Sequence, residues 1–480
     1  MAWATSVSNR RNRSTEPGGL LKQRDDADDI SAFSKKDGEG VHNSFVSEPM
    51  NFLRRINPFF LVFLLSSLEI GIWLPEHHLL SLASGTVALT GPILLIANRQ
   101  AIAAALKKER MLFFLLACFM GSVFLSLYFS SNHKVASVFS VKYLFQILIF
   151  LGIFVFIARK GDEVRFSFLR GLSYFAALNG LLVFYEKLRG PFSAQLIQFF
   201  NKSTDVDWSR FSGMFINPNG LGAFEALAVI ALVLYGKRMF DKKVLVAVTM
   251  LLALTGLFLS ASLNGVINLV VFFVGYFFFF GGEKLKKFRV YIILFALLSF
   301  LFVHKELYRR VGPLMETRWD HQNFTLTLHV LDSLKERFNL WHVAGVDIEK
   351  HKALGLGAGV FIFSHSILST VNKEPVVIGS GQLNAHNFEI NMTVSFGFLG
   401  LSIFFLFVIR SIFLMMQRRD GSGIVLFSFL FALQQIDCFL DSYFPWMIAF
   451  WGLMAVAICK GSVSQRQNAP RCFDGREKLL

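Results

Sequence analysis

The chain has 480 residues, of which 54% are hydrophobic and 17% charged, and its mean hydropathy is positive. This composition excludes an ordinary soluble protein and indicates that lipid surrounds most of the chain. The formal net charge of +15 does not indicate a nucleic-acid partner, because the basic residues lie between apolar runs rather than in one patch.

The polar ends of the chain predict two solvated tails. Residues 1–50 are rich in Ser, Asp, Lys, Arg and Gly and have no sustained apolar period. We therefore expect a disordered cytoplasmic tail there, and a second cytoplasmic tail at residues 461–480. The four cysteines have no CxxC spacing, which argues against a disulfide framework or a zinc site.

Apolar runs fill the rest of the chain. Each approaches the roughly 20 residues that a transmembrane helix needs. They predict an all-α polytopic membrane protein with about twelve spans, nine of them within 51–303 and three within 389–460. The runs lie at 58–74, 79–97, 111–130, 138–157, 166–185, 219–235, 244–259, 264–280, 290–303, 391–409, 423–440 and 443–459.

Basic residues in the short connections predict which side each loop faces, because Lys and Arg are retained on the cytoplasmic side of a membrane. Five basic connections alternate with connections that hold a single basic residue, Lys134. This alternation predicts that both termini are cytoplasmic. It also predicts that two longer loops, about 186–215 and 304–388, face the periplasm of a Gram-negative host. The basic connections are 98–110, 158–165, 236–243, 281–289 and 417–422.

The apolar run 244–280 is interrupted only at Ser260 to Gly265. It fits either two spans with a tight outer turn or one long tilted helix. The basic loops on both sides favour two spans. In the large loop, Leu331, Leu334, Phe338 and Trp341 follow helical spacing and predict an amphipathic helix on the outer membrane face.

Three groups of polar residues on the predicted outer side are candidates for chemistry. Arg210 to Asn219 opens a span; we expect Pro218 to fix the chain path and Asn219 to cap the helix, so that its positive end can bind an anion. Arg337 lies on the amphipathic helix, where its planar fork of donors suits phosphate. His386 and Asn387 stand where the loop returns to the membrane, which places an ionisable ring at the membrane interface.

Each group also has a plainer interpretation. The first can be a capping turn with an unrelated arginine, Arg337 can simply touch lipid headgroups, and a histidine at a loop end is most often only solvated. The other loop histidines match no metal-ligand spacing and no HExxH motif occurs, so we expect no metal and no cofactor. Gly355 to Gly359 lacks the surroundings of a nucleotide loop and predicts a tight chain path near the membrane surface.

The reaction that these residues suit is glycosyl transfer from a lipid diphosphate. Negative charge grows on the departing diphosphate, so cationic donors stabilise the transition state more than the ground state. The attacking sugar hydroxyl needs a base, which a neutral histidine supplies.

The same residues carry a resemblance to the O-antigen ligase and O-antigen polymerase superfamily of bacterial inner-membrane proteins. Arg210 to Asn219 resembles its Arg…Gly-x-Phe-x-Asn-Pro-Asn segment, and Arg337 to Trp341 followed by Gly355-Leu356-Gly357 resembles its Arg-x-x-x-Trp…GxG stretch. His386-Asn387 followed by Gly397 to Gly400 resembles its His-Asn…Gly-x-x-Gly segment. Together the motifs cover roughly 210 to 410 in the expected order.

The resemblance implies a GT-C-like membrane enzyme whose large periplasmic loop bounds a cavity. It implies metal-independent transfer of an undecaprenyl-diphosphate-linked glycan, with Arg337 binding diphosphate and His386 activating a glycan or lipid A-core acceptor. Many members carry Ser-Arg at the turn where this chain has Ser262-Leu263-Asn264. Arg210 or Arg318 is then expected to supply the missing cation, and Asn217, Asn219 and Asn387 to contribute to substrate binding.

Two alternatives stay open at this stage. The acceptor separates a polymerase, which the missing Ser-Arg slightly favours, from a ligase and from a protein O-glycan transferase. A transporter or flippase is the rival from another class, and it would need ionisable residues within spans. The few such residues are Glu69, Lys142, Arg170 and Glu225.

Overall fold

The structure is a computed structural model that describes residues 56–67, 96–189, 211–215, 218–280, 337, 340–341, 343–361, 368–371, 374–377, 385–435 and 444–459. These parts of the chain are mainly α-helical. The helices are α1 Pro58–Ser67, α2 Arg99–Lys108, α3 Arg110–Tyr128, α4 His133–Lys160, α5 Asp162–Arg189, α6 Pro218–Met239, α7 Lys243–Leu259, α8 Leu263–Phe280, α9 Phe388–Gln417, α10 Gly421–Ala432 and α11 Phe444–Ile458.

Five of these helices, α3, α4, α5, α6 and α9, are long and apolar enough to cross a membrane by length and composition. Shorter apolar helices accompany them, among them α7, α10 and α11. The chain is therefore a membrane protein with several transmembrane helices. Predicted span 290–303 and all but residues 96 and 97 of predicted span 79–97 lie outside the described residues, so the total of twelve spans stays a prediction.

A short β-hairpin lies within the segment 304–388, where the sequence predicted only amphipathic helices. Its strands, β1 Leu368–Val371 and β2 Glu374–Val377, pair antiparallel with Leu368 opposite Val377. Residues 337, 340–341 and 343–350 are helical.

The apolar run 244–280 forms two helices, as predicted. Helix α7 ends at Leu259 and α8 begins at Leu263. Ser260 donates its hydroxyl to the carbonyl of Leu257, and Ser262 Oγ accepts the amide of Gly265 at 3.3 Å. These side chains satisfy backbone groups that the helix ends leave free.

Small residues let the neighbouring helices approach closely. A Cβ on Gly180 of α5 would lie 1.9 Å from the carbonyl oxygen of Leu252 in α7, and one on Gly222 of α6 would lie 2.2 Å from Ser262 Cβ. In a membrane, where helix association depends on packing, such contacts hold helices together.

Aromatic rings fill the space between α1, α5, α6 and α11. Phe224 lies 5.8 Å from Phe63, 5.5 Å from Phe175 and 5.8 Å from Trp446, each edge to face. The indole of Trp446 donates to the carbonyl of Gly220 at 2.9 Å. Its polar edge is thereby satisfied in the buried interior.

Basic residues from separate predicted cytoplasmic connections meet at one end of the helices. Arg165, which is 3% exposed, lies 2.9 Å from Asp420 and 3.1 Å from the hydroxyl of Tyr235. Glu109 pairs with Arg418 at the end of α9 and lies 3.7 Å from Arg410. Residue 386 is at the other end of α9, so the helix separates the basic connections from the predicted site.

Candidate functional site

His386 stands directly before α9 in an unusual backbone conformation. Its φ is +47°, in the left-handed region that few residues other than glycine adopt, although histidine does so more often than most. The next residue, Asn387, caps the helix by accepting the amide of Ile390 at 3.0 Å. Strained residues that surrounding structure holds in place are concentrated at functional sites, and His386 has this property.

A hydrogen bond joins the large loop to the residue before His386. The indole Nε1 of Trp341 donates to the carbonyl of Ala385 at 2.6 Å. Arg337 is also helical and half-buried, and it precedes Trp341 by four positions, about one helical turn. The structure therefore brings Trp341 into contact with the residue before His386, although the two are 44 positions apart in the sequence.

The Trp341→Phe variant tests the role of this bond: we expect it to lower the glycosyl transfer predicted from the sequence about tenfold while the protein still accumulates in the membrane. Phenylalanine keeps an aromatic ring but cannot donate to the Ala385 carbonyl, so the loop is held less firmly to the residue before His386. Transfer is measured in membranes that contain equal amounts of each protein. Unchanged transfer in this variant would contradict a positioning role for the bond.

Helix α9 is broken at Gly397, where the sequence predicted one continuous span. Gly397 has φ +64° and ψ −175°, which is open essentially only to glycine. The break leaves carbonyl groups before it and amide groups after it without helical partners. Such a break is tolerated at membrane depth only where other parts of the protein satisfy these groups.

The glycine-rich loop segment satisfies them. The amides of Leu356 and Gly357 donate to the carbonyls of Val394 and Ser395 at 2.8 and 3.1 Å. On the other side of the break, the amides of Phe398 and Leu399 donate to the carbonyls of Lys352 and Ala353 at 2.9 and 3.3 Å. The segment 352–357, which includes the first part of the stretch Gly355 to Gly359 predicted to be a tight path near the membrane surface, is thus inserted into the break in α9.

Further hydrogen bonds gather the other motifs at the same end. Asn264, after the turn between α7 and α8, donates to the carbonyl of Leu433 at 3.0 Å. Asn387 donates from Nδ2 to the carbonyl of Gln435 at 3.2 Å. Ser262 Oγ donates to the carbonyl of Asn219 at 3.5 Å. The start of α6, the turn, the end of α10 and the start of α9 are therefore neighbours.

The remaining predicted site residues have mixed outcomes. Arg210, Asn217 and Arg318 lie outside the described residues. The expectation that Asn219 caps a helix is wrong, because α6 begins at Pro218 and Asn219 is within its first turn. Proline suits that first position since its missing N–H would have no helical partner. Asn387 has two structural bonds, and binding of substrate by it stays a prediction.

Sequence reasoning missed three features of this region. The sequence places Trp341 in the apolar stripe and in the Arg-x-x-x-Trp resemblance but predicts no hydrogen bond for it, and it predicts neither the break at Gly397 nor a role for Gln435. Gln435 donates from Nε2 to Glu389 Oε1 at 2.7 Å. The Gly-x-x-Gly spacing at Gly397 was the available signal for the break, because glycine is unfavourable in a helix interior.

Three of the charged residues that the sequence placed within spans, Lys142, Arg170 and Glu225, lie in the described helices α4, α5 and α6. Glu225 is fully buried, and within that part of the chain neither carboxylate oxygen has a hydrogen-bond partner. Lys142 lies 5.0 Å from the centre of the Phe139 ring. No group of three His, Cys, Asp or Glu residues in the described ranges could hold a metal ion.

One protein family matches the part of the chain that contains these motifs. Residues 248–405 match the family model described as O-antigen ligase. The matched segment runs from α7 into the second half of α9 and includes Arg337, the glycine-rich segment and His386. A comparison with curated proteins gives no match. Over this segment, which is about a third of the 480 residues, the chain is similar to the O-antigen ligase family.

Proposed function

We propose that this protein transfers or polymerises an undecaprenyl-diphosphate-linked glycan at the periplasmic face of a bacterial inner membrane, with both termini in the cytoplasm. The observation that supports the proposal most directly is the bond between Trp341 and the Ala385 carbonyl. It joins the loop residue four positions after Arg337 to the residue that precedes His386, which supports the proposal that one substrate contacts both side chains.

Arg337 is proposed to bind the diphosphate of the donor. The bond between the anomeric carbon and the diphosphate oxygen breaks in the reaction, and its electron pair remains on the diphosphate. A guanidinium group stabilises this growing negative charge with two parallel hydrogen bonds. An arginine that is half-buried at a membrane surface holds its charge where the lipid-linked diphosphate lies.

His386 is proposed to act as the base. A hydroxyl of the acceptor forms the new bond to the anomeric carbon and gives its proton to the neutral imidazole. The left-handed conformation of His386 and the capped helix start at Asn387 define the backbone position from which the ring extends. A base held in position accelerates the reaction more than a mobile one, because bringing the reacting groups together then costs no further conformational entropy.

The acceptor is proposed to be another carrier-linked repeat, which would make the enzyme a polymerase. This chain lacks the Ser-Arg that many family members carry at the turn between α7 and α8. Asn264, directly after that turn, donates to the carbonyl of Leu433 and supplies no cation. Transfer to a lipid A core or to a protein hydroxyl are the other forms of the same reaction, and they differ only in the acceptor.

A deletion strain of the source bacterium tests the proposal, with surface glycan and carrier-linked glycan analysed separately. For a polymerase, the surface should carry single repeat units in place of long chains. For a ligase, lipid A core should lack long chains while carrier-linked polymer accumulates. A flippase would instead leave carrier-linked units on the cytoplasmic face. Surface glycan of normal amount and length would contradict the proposal.

A further inference from the structure

A carboxylate lies about one helical turn beyond His386. It is not one of the two groups proposed to carry out the transfer. Glu389 is in the first turn of α9. Its Oε1 accepts from Gln435 Nε2 at 2.7 Å, while the backbone carbonyl of Gln435 accepts from Asn387 Nδ2 at 3.2 Å. Gln435 therefore contacts residues on both sides of the helix start and fixes the orientation of the Glu389 carboxylate.

The second carboxylate oxygen of Glu389, Oε2, differs from Oε1 in its hydrogen bonding. Oε2 is buried, and among the described residues it has no hydrogen-bond partner. The position of Glu389 at a helix N-terminus is favourable for its charge, but this does not supply a donor to Oε2. Buried polar atoms are nearly always hydrogen-bonded, and leaving one without a donor costs free energy. A bound molecule that brings its own donor would remove this cost.

We propose that Oε2 of Glu389 accepts a hydrogen bond from a hydroxyl group of the acceptor glycan and so holds the acceptor beside His386. This inference rests on the proposed function. A diphosphate would be repelled by the carboxylate, so the donor head group belongs with Arg337 and the acceptor with Glu389. The same repulsion selects a neutral sugar, rich in hydroxyl donors, over an acidic sugar at this position.

Transfer kinetics of Glu389→Gln test the inference. The full-length protein is reconstituted in liposomes with carrier-linked glycan extracted from the deletion strain as the donor. The acceptor is the soluble oligosaccharide released by mild acid from the glycolipids of that strain. Glutamine keeps the size of the side chain but loses the charge that strengthens the hydrogen bond. We expect the acceptor KM to rise about tenfold, while the donor KM and kcat change less than twofold.

The matched control is Glu163→Gln. Glu163 is also an acid in the first turn of a helix, but it is exposed and belongs to α5 at the basic end. Its substitution should leave both KM values unchanged. If Glu389→Gln lowers membrane abundance, Gln435→Leu is the second variant. It keeps the carboxylate but removes the donor to Oε1, and it should also raise the acceptor KM.

The outcomes separate this inference from the proposed function. A raised acceptor KM with unchanged kcat supports acceptor binding by Glu389. An unchanged acceptor KM in both Glu389→Gln and Gln435→Leu, with transfer lost in His386→Ala, overturns the inference and leaves the proposed function intact. Full transfer in both His386→Ala and Arg337→Ala would overturn the proposed function itself.

Discussion

The His386→Ala variant is expected to lose glycan transfer by at least about a hundredfold, because a positioned base typically contributes that much to a rate. The Arg337→Ala variant should lose a similar factor, since removing one preorganised charge stabiliser commonly costs about a hundredfold or more. Membrane abundance should be unchanged in both, as both side chains are only half-buried. Long-chain surface glycan in the complemented deletion strain and transfer in liposomes are the two measurements.

Two further variants control for structural effects. His386 has a left-handed backbone, which alanine tolerates poorly, whereas asparagine adopts it more readily. His386→Asn should therefore be folded and equally inactive. His351→Ala removes an exposed histidine from the same loop and should be active. If His386→Asn assembles normal glycan, the imidazole is not the base.

The Gly397→Ala variant is expected to destabilise the protein by more than about 3 kcal/mol. A Cβ at this position would lie 2.2 Å from the carbonyl oxygen of Ala353, and the backbone conformation excludes side chains. Relieving the contact would push segment 352–357 out of the break in α9. The four backbone hydrogen bonds across the break would then be lost in the apolar interior, where water cannot replace them.

Membrane abundance and the thermal unfolding midpoint in detergent measure this effect. Gly152→Ala is the matched control, because Gly152 lies within α4 and a Cβ there would meet nothing within 4 Å. Alanine favours a helix over glycine by about 1 kcal/mol, so this variant should be as stable as the wild type or more so. A Gly397→Ala protein with an unaltered unfolding midpoint would show that the break in α9 does not require glycine.

The described helices were largely foreseeable from the sequence. Hydrophobic runs of span length predicted α3 to α9, and the turn at Ser260 to Gly265 correctly divided one long run into α7 and α8. The break at Gly397 was not foreseeable by the same means, since the apolar run continues through it. Hydropathy indicates whether lipid or water surrounds a segment, but it does not indicate the backbone conformation of one residue within that segment.

By itself, the sequence determined that this is a membrane protein, where most of its helices lie, and which residues carry the family motifs. Only the tertiary structure decided how these residues meet. The Trp341 indole and the Ala385 carbonyl are 44 positions apart in the chain, and Gln435 is 46 positions from Glu389. Helix formation depends on residues a few positions apart, which a sequence pattern reveals. Contacts at such long range depend on how the helices pack, and local periodicity carries no information about that packing.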